Sequence, residues 1–86
     1  MTCDRYCIEL TKQAQKDIAK LSPKLKSKLK AILQNKIAVN PESGKPLVGD
    51  LRGYFSVRLS FYDRIVYRIE RDRCVIVVIR ARTHYG

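Results

Sequence analysis

Apolar and polar residues alternate cleanly from Tyr54 to Phe61. Phe55, Val57, Leu59 and Phe61 fall on one side of a period-two pattern, and Tyr54, Ser56, Arg58 and Ser60 on the other. That period predicts a strand with one face on a core and one face open. A tight connection at Tyr62-Asp63 leads to a second strand over Arg64 to Glu70. A turn at Arg71-Asp72-Arg73 leads to a third, Cys74 to Arg80, rich in Val and Ile. The first half of the chain has a different period. After a short strand at Tyr6 to Leu10, Ala14, Ile18 and Leu21 recur at helical spacing, with Thr11 placed as N-cap. Ser22-Pro23 marks a second helix start, with Ser as cap and Pro at the first helical position, where no amide donor is needed. Leu25, Leu29, Ile32, Leu33 and Ile37 form its apolar stripe. Asn40-Pro41 ends it, because the residue before proline avoids helical angles. Glu42 to Gly53, holding Gly44, Pro46, Gly49 and Gly53, reads as loop. The expected fold is α+β in the order β-α-α-β-β-β, an antiparallel sheet packed against a two-helix hairpin.

Length changes this picture little. The chain's 86 residues suit a single domain spanning 1–86. No apolar run reaches the roughly 20 residues of a membrane helix. Met1 to Leu10 carries Asp4, Arg5 and Glu9 and lacks a cleavage site of small residues, so a cytoplasmic protein is expected. Cys3, Cys7 and Cys74 make an odd count, which argues against a disulfide framework. Cys7 and Cys74 are expected to be buried and inert. Cys3 and Cys7 lack the second half of a zinc site, and neither a metal nor a cofactor is expected.

Charge changes the picture more. Eighteen Lys and Arg face eight Asp and Glu, a net charge of +10. A field of that size on so small a chain attracts polyanions: nucleic acid first, an acidic protein second, an anionic membrane third. The two basic residue types are segregated. All nine lysines lie at or before Lys45, and eight of nine arginines at or after Arg52. Lysines on helix faces serve solubility. Arginines among strands are costlier to place, and their planar fork matches phosphate geometry. Asp50, Asp63, Glu70 and Asp72 are too few to neutralise Arg52, Arg58, Arg64, Arg68, Arg71, Arg73, Arg80 and Arg82.

The last residues set His84 beside Tyr85, with Arg80 and Arg82 before them. Cleaving RNA through its own 2′-OH requires a group to move a proton, positive charge beside the phosphorane, and a proton for the leaving 5′-oxygen. Histidine moves protons near neutral pH, arginine supplies the charge, and tyrosine stacks on a base or orients an oxygen. Motifs for nucleotide hydrolysis, dinucleotide binding and serine hydrolysis are absent, as is the signature of an RNA-recognition motif.

Gly44-Lys45-Pro46-Leu47, Leu51-Arg52-Gly53-Tyr54-Phe55-Ser56-Val57-Arg58-Leu59 and Asp63-Arg64-Ile65-Val66-Tyr67 together resemble the RelE/ParE toxin superfamily, and His84-Tyr85 resembles the ending of its YoeB branch. The resemblance implies a toxin that enters the ribosomal A site, contacts rRNA and mRNA, cuts the mRNA, and is held by an acidic antitoxin. It implies a catalytic set of Arg64 on the scissile phosphate, Arg58 as a second phosphate contact, His84 transferring a proton and Tyr85 orienting substrate. Lys45, Arg52 and Arg82 would be further RNA contacts. The YoeB branch has a glutamate just before the central strand; Lys45-Pro46-Leu47-Val48 has none, and Glu42 and Asp50 are the nearest carboxylates. Two rival functions share these features: a ParE-like gyrase poison that cuts no RNA, and a non-catalytic RNA-binding module.

Overall fold

A computed structural model describes residues 3–81. Strand β1 (Cys7–Leu10) is followed by helices α1 (Lys12–Ala19) and α2 (Pro23–Ile32), then by strands β2 (Lys45–Pro46), β3 (Tyr54–Arg58), β4 (Arg64–Glu70) and β5 (Val75–Arg80). The strands form one five-stranded sheet in the order β1-β5-β4-β3-β2. The α+β order and the helical hairpin against the sheet are as the sequence predicts. The sheet itself is mixed, not wholly antiparallel, because β1 pairs parallel to β5, with Cys7 opposite Val75 and Leu10 opposite Val78. The two helices carry the chain from β1 to β2 at the far edge, and the antiparallel run β2 to β5 then crosses back to lie beside β1, a connection long enough for parallel pairing.

Both predicted caps form. Thr11 Oγ1 accepts from the Ala14 amide at 3.1 Å and donates to the Ile79 carbonyl at 3.0 Å, so one hydroxyl caps α1 and ties it to β5. Ser22 Oγ accepts from the Leu25 amide at 3.3 Å. The second helix ends in a wider turn over Leu33–Ile37, where the Ala38 amide reaches the Leu33 carbonyl at 2.8 Å, an i→i+5 bond. The extra residue keeps Leu33 and Ile37 both on the core.

The core lies between the helices and one sheet face. Leu59, Ile65, Tyr67, Ile76 and Val78 are all 0% exposed and meet Ala14, Leu29, Leu33 and Ile37. Full burial of each aliphatic side chain contributes roughly 1.5–3 kcal/mol. Phe61 does not join them. It is 83% exposed, because the chain turns after Leu59 and the alternation stops with it: the Leu59 and Ser60 amides both donate to the Asp63 carbonyl, at 2.9 and 3.1 Å.

The cysteine expectations are corrected. Cys3 and Cys74 are joined in a disulfide, their Cα atoms 5.8 Å apart, within the span a bridge can close. Parallel pairing causes the encounter: the Cys7 amide donates to the Cys74 carbonyl at 2.9 Å, which lays the chain entering β1 beside the β4–β5 turn. Cys7 is a free thiol and exposed, not buried.

Pro46 sits in the edge strand β2, where its missing donor is tolerated. Gly44, just before it, is required for another reason. The buried Tyr67 hydroxyl donates to the Pro41 carbonyl at 2.7 Å and accepts from the Gly44 amide at 3.2 Å. Burial raises its phenol above the ordinary value, against the opposing pull of the Gly44 amide. A Cβ at position 44 would run into this hydroxyl and come within 3.1 Å of the Ser56 carbonyl. Gly44→Ala should therefore destabilise the fold by about 2 kcal/mol. The cost should shrink in a Tyr67→Phe background, where the obstructing oxygen is gone. Equal costs in both backgrounds, measured by chemical denaturation, would show that this contact is not the reason for the glycine.

Candidate phosphate-binding face

Because Phe55, Val57, Ile65 and Tyr67 pack on the core, their neighbours leave the sheet on the opposite face. On that face Arg58 stands directly across from Arg64, Ser56 across from Val66, and Tyr54 across from Arg68. Lys45 of β2 pairs with Ser56 and so joins them, diagonal to Arg58. Arg58, Arg64 and Lys45 are all exposed. Directly opposed side chains have Cβ atoms roughly 5 Å apart, and like charges so placed destabilise a sheet by up to about 1 kcal/mol.

The other strand-half arginines are mostly engaged with acids. Arg68 donates to Glu70 at 2.7 Å. Arg73 bridges Glu70 at 2.7 Å and Glu9 at 2.9 Å. Arg71 pairs with Glu42. Hydrogen bonds from Arg68 and Arg73 hold the Glu70 carboxyl below its ordinary range. Arg80 Nε donates to the buried Asp17 at 2.8 Å. Among the described residues, no carboxylate lies within ion-pair distance of Arg52, Arg58 or Arg64. Two adjacent cations left to repel each other form a site suited to an anion, with the paired forks matching phosphate oxygens.

The structure brings together Arg58, Arg64 and Lys45 but not Arg52. Arg52 ends a short 3-10 turn before β3. It lies at the opposite end of that strand from Arg58, and Tyr54 to Arg58 alone spans about 13 Å at the rise of an extended strand. Glu42 and Asp50 belong to that far end as well: Glu42 is held by Arg71 beyond the end of β4, and Asp50 lies in the turn before Arg52. Neither takes the place of a base beside the arginine pair. Arg82, His84 and Tyr85 lie outside the described residues.

Two aromatic side chains stand at the arginine end: Tyr62, in the connection the sequence predicts, and Phe61, which the alternation assigns to the core side. The β3–β4 connection carries Phe61 and Tyr62 on its tip, 83% and 69% exposed, with ring centroids 5.0 Å apart in an edge-to-face arrangement. Ser60 and Asp63 hold the tip. Ser60 Oγ donates to Asp63 Oδ2 at 3.0 Å and accepts from the amides of Tyr62 and Asp63 at 3.3 and 3.1 Å. A serine three residues before an aspartate is a readable turn signal, and it marks where the alternation ends.

A second surface lies on the helix side. Ile8, Leu10, Ile18, Leu29 and Leu33 line a groove of about 370 Å³ between β1 and the helices, with Lys26, Lys30 and Gln34 also lining it.

Comparison with known proteins gives a consistent result. The model of the ParE toxin of type II toxin–antitoxin systems, parDE, matches residues 8–84. The toxin YoeB of Streptomyces coelicolor is 42% identical over 53 residues, covering 57% of this chain and 61% of that protein, so the chain spans about three fifths of this curated relative. Among solved structures, a chain of the RelBE2 toxin–antitoxin complex from Mycobacterium tuberculosis superposes with a TM-score of 0.82 at 30% identity, over 93% of this chain and 91% of that one. The YoeB/ParE toxin from Agrobacterium tumefaciens gives the same TM-score, 0.82, at 26% identity, over 92% of this chain and 99% of that one. With the match covering nearly the whole chain and the fold shared end to end, the chain belongs to the RelE/ParE superfamily of type II toxin–antitoxin toxins.

Proposed function

We propose that this toxin is a ribosome-dependent endoribonuclease that cuts mRNA in the A site by attack of the 2′-OH on the adjacent phosphate. The observation that carries the reading is the exposed Arg58–Arg64 pair, opposed across two strands and without a carboxylate partner among the described residues. Similarity to YoeB and RelE toxins supports it. In this reading the 2′-oxygen bonds to phosphorus as its proton leaves. Negative charge on the non-bridging oxygens grows against Arg64, with Arg58 and Lys45 neutralising the flanking phosphate. The P–O5′ bond then breaks and the 5′-oxygen takes a proton, leaving a 2′,3′-cyclic phosphate and a 5′-OH. Such differential stabilisation of the charged transition state is where an enzyme of this kind gains most of its rate. His84 is assigned the proton transfer and Tyr85 the orientation of the substrate. Arg82 is assigned a nearby phosphate, and Arg52 a contact remote from the cut. No step of this reaction requires a metal.

An acidic antitoxin is the second partner in this account. The groove over Ile8, Leu10, Ile18, Leu29 and Leu33 suits an amphipathic segment, and Lys26 and Lys30 suit its acidic flank. The neighbouring RelBE2 structure is a toxin–antitoxin complex.

The parDE description of the matching family favours a second reading, a gyrase poison that leaves RNA intact. A pair of assays separates the two. The purified protein added to a cell-free translation extract should stop synthesis and leave mRNA fragments with 5′-OH ends, and it should leave gyrase supercoiling at its normal rate. Inhibited supercoiling with intact mRNA would establish the second reading instead.

A further inference from the structure

We propose that Phe61 and Tyr62 form a stacking platform for an unpaired nucleobase, beside the phosphate that Arg58 and Arg64 hold. This rests on the RNA-binding reading above and assigns the β3–β4 tip a part in it. Three observations lead there. The tip sets two aromatic rings in solvent, 83% and 69% exposed, at a turn where small polar residues would form the reversal at lower cost. The backbone that carries the rings is fastened, because Ser60 and Asp63 tie the turn with three hydrogen bonds. The loop that carries them joins Arg58 directly to Arg64, so the rings and the opposed cations share one end of the hairpin.

Single-stranded nucleic acid is recognised by this combination of phosphate-binding cations and exposed aromatic faces. Stacking tolerates any base, since each has a π-face, so the platform would position a nucleotide without reading its identity. An apolar protein partner would ask for a continuous patch. Here the residues that flank the rings in the chain are polar or charged, Ser60 and Asp63 and beyond them Arg58 and Arg64, while the apolar Leu59 between them is buried in the core. The base has two possible sources, the bound strand or the ribosomal RNA.

The test uses a short single-stranded RNA carrying 2-aminopurine, whose fluorescence is quenched by stacking, both free and as message in programmed ribosomes. The Phe61→Ala/Tyr62→Ala double variant should bind about tenfold more weakly, about 1.4 kcal/mol, with the salt dependence of binding unchanged because the phosphate contacts remain. Its melting temperature should match that of the wild type, since neither ring is in the core. If the bound strand supplies the base, wild-type protein quenches the probe, the variant does not, and an abasic site in the strand weakens wild-type binding as much as the double substitution. If ribosomal RNA supplies it, the loss is seen only on ribosomes and quenching is unaltered. Unchanged affinity of the double variant in both settings overturns the platform, as does a loss confined to antitoxin binding. The parent reading is tested separately. Arg58→Ala/Arg64→Ala should flatten the salt dependence by about two phosphate contacts, and an unaltered slope in that variant counts against the arginine site whatever the aromatic variant does.

Discussion

Arg64→Ala should slow cleavage of ribosome-bound mRNA about 10²–10³-fold at saturating protein, the loss seen when one preorganised donor to a developing oxyanion is removed. The expectation follows from placement. Arg64 begins β4, where it pairs with Arg58 of β3, and two residues on Val66 pairs with both β3 and β5, so its backbone is placed before any RNA arrives. No carboxylate among the described residues has to be displaced, so its charge is available to the phosphate from the start. Arg58→Ala should cost less, about tenfold, because it neutralises a phosphate whose charge does not change during the reaction. The two losses should fall short of multiplying, because opposed arginines repel and removing one relieves the other. Arg64→Lys should fall in between, since an ammonium keeps the charge but not the fork. Single-turnover rates at saturation separate these effects from weaker binding. A normal rate in Arg64→Ala would remove the residue from the chemistry.

The second large effect concerns stability. Asp17 is buried on α1. It accepts from Arg80 Nε at 2.8 Å, the Ala81 amide at 3.2 Å and Gln13 Nε2 at 3.0 Å. Burial alone would push its carboxyl up. Donation from Arg80, Gln13 and Ala81 outweighs that and holds it below the ordinary value of 3.8. Asp17→Ala strands a buried amide and takes its carboxylate from a part-exposed arginine, so the loss should be about 2 kcal/mol. For a domain of this size that lowers the melting temperature by about 10 °C. The pH dependence has a definite sign. A carboxyl whose folded value is depressed contributes its full stability above its unfolded value, near 3.8. That contribution disappears as pH falls through the lower, folded value. Wild-type protein should thus lose stability on acidification below about pH 4, and Asp17→Ala should lose less over the same interval. Parallel curves for the two proteins would contradict the assignment. The clamp also fixes α1 to Arg80 and Ala81, which directly precede Arg82, His84 and Tyr85 in the chain.

Local signals in the sequence specify structure where local physics decides. Alternation marks β3, β-branched residues between turns mark β4 and β5, and the range Arg64 to Glu70 matches to the residue. Thr11 and Ser22 cap as a hydroxyl before an apolar helical period should. Pairing partners are another matter. Nothing in Tyr6 to Leu10 states that it will lie parallel to β5, so the mixed sheet and the Cys3–Cys74 bridge that follows from it were beyond local reasoning. Two-residue β2 is hidden by Pro46, and the apolar alternation runs on past Leu59 into a turn that Ser60 and Asp63 close.

The site was legible in part for the same reason. Segregation of arginine into the strand half points to the region that holds the candidate site. Which arginines stay free depends on acids far away in sequence: Glu9 and Asp17, from the first half of the chain, occupy Arg73 and Arg80. Only the fold reveals that Arg58 and Arg64 are left facing each other, that Lys45 joins them and that Arg52 does not.

The most direct test of the nuclease is primer extension on mRNA bound to programmed ribosomes, with wild-type protein, Arg64→Ala and His84→Ala side by side. Discrete cuts within the A-site codon by the wild type, lost or greatly slowed in both variants, are the predicted result. Intact mRNA with folded wild-type protein would contradict the account.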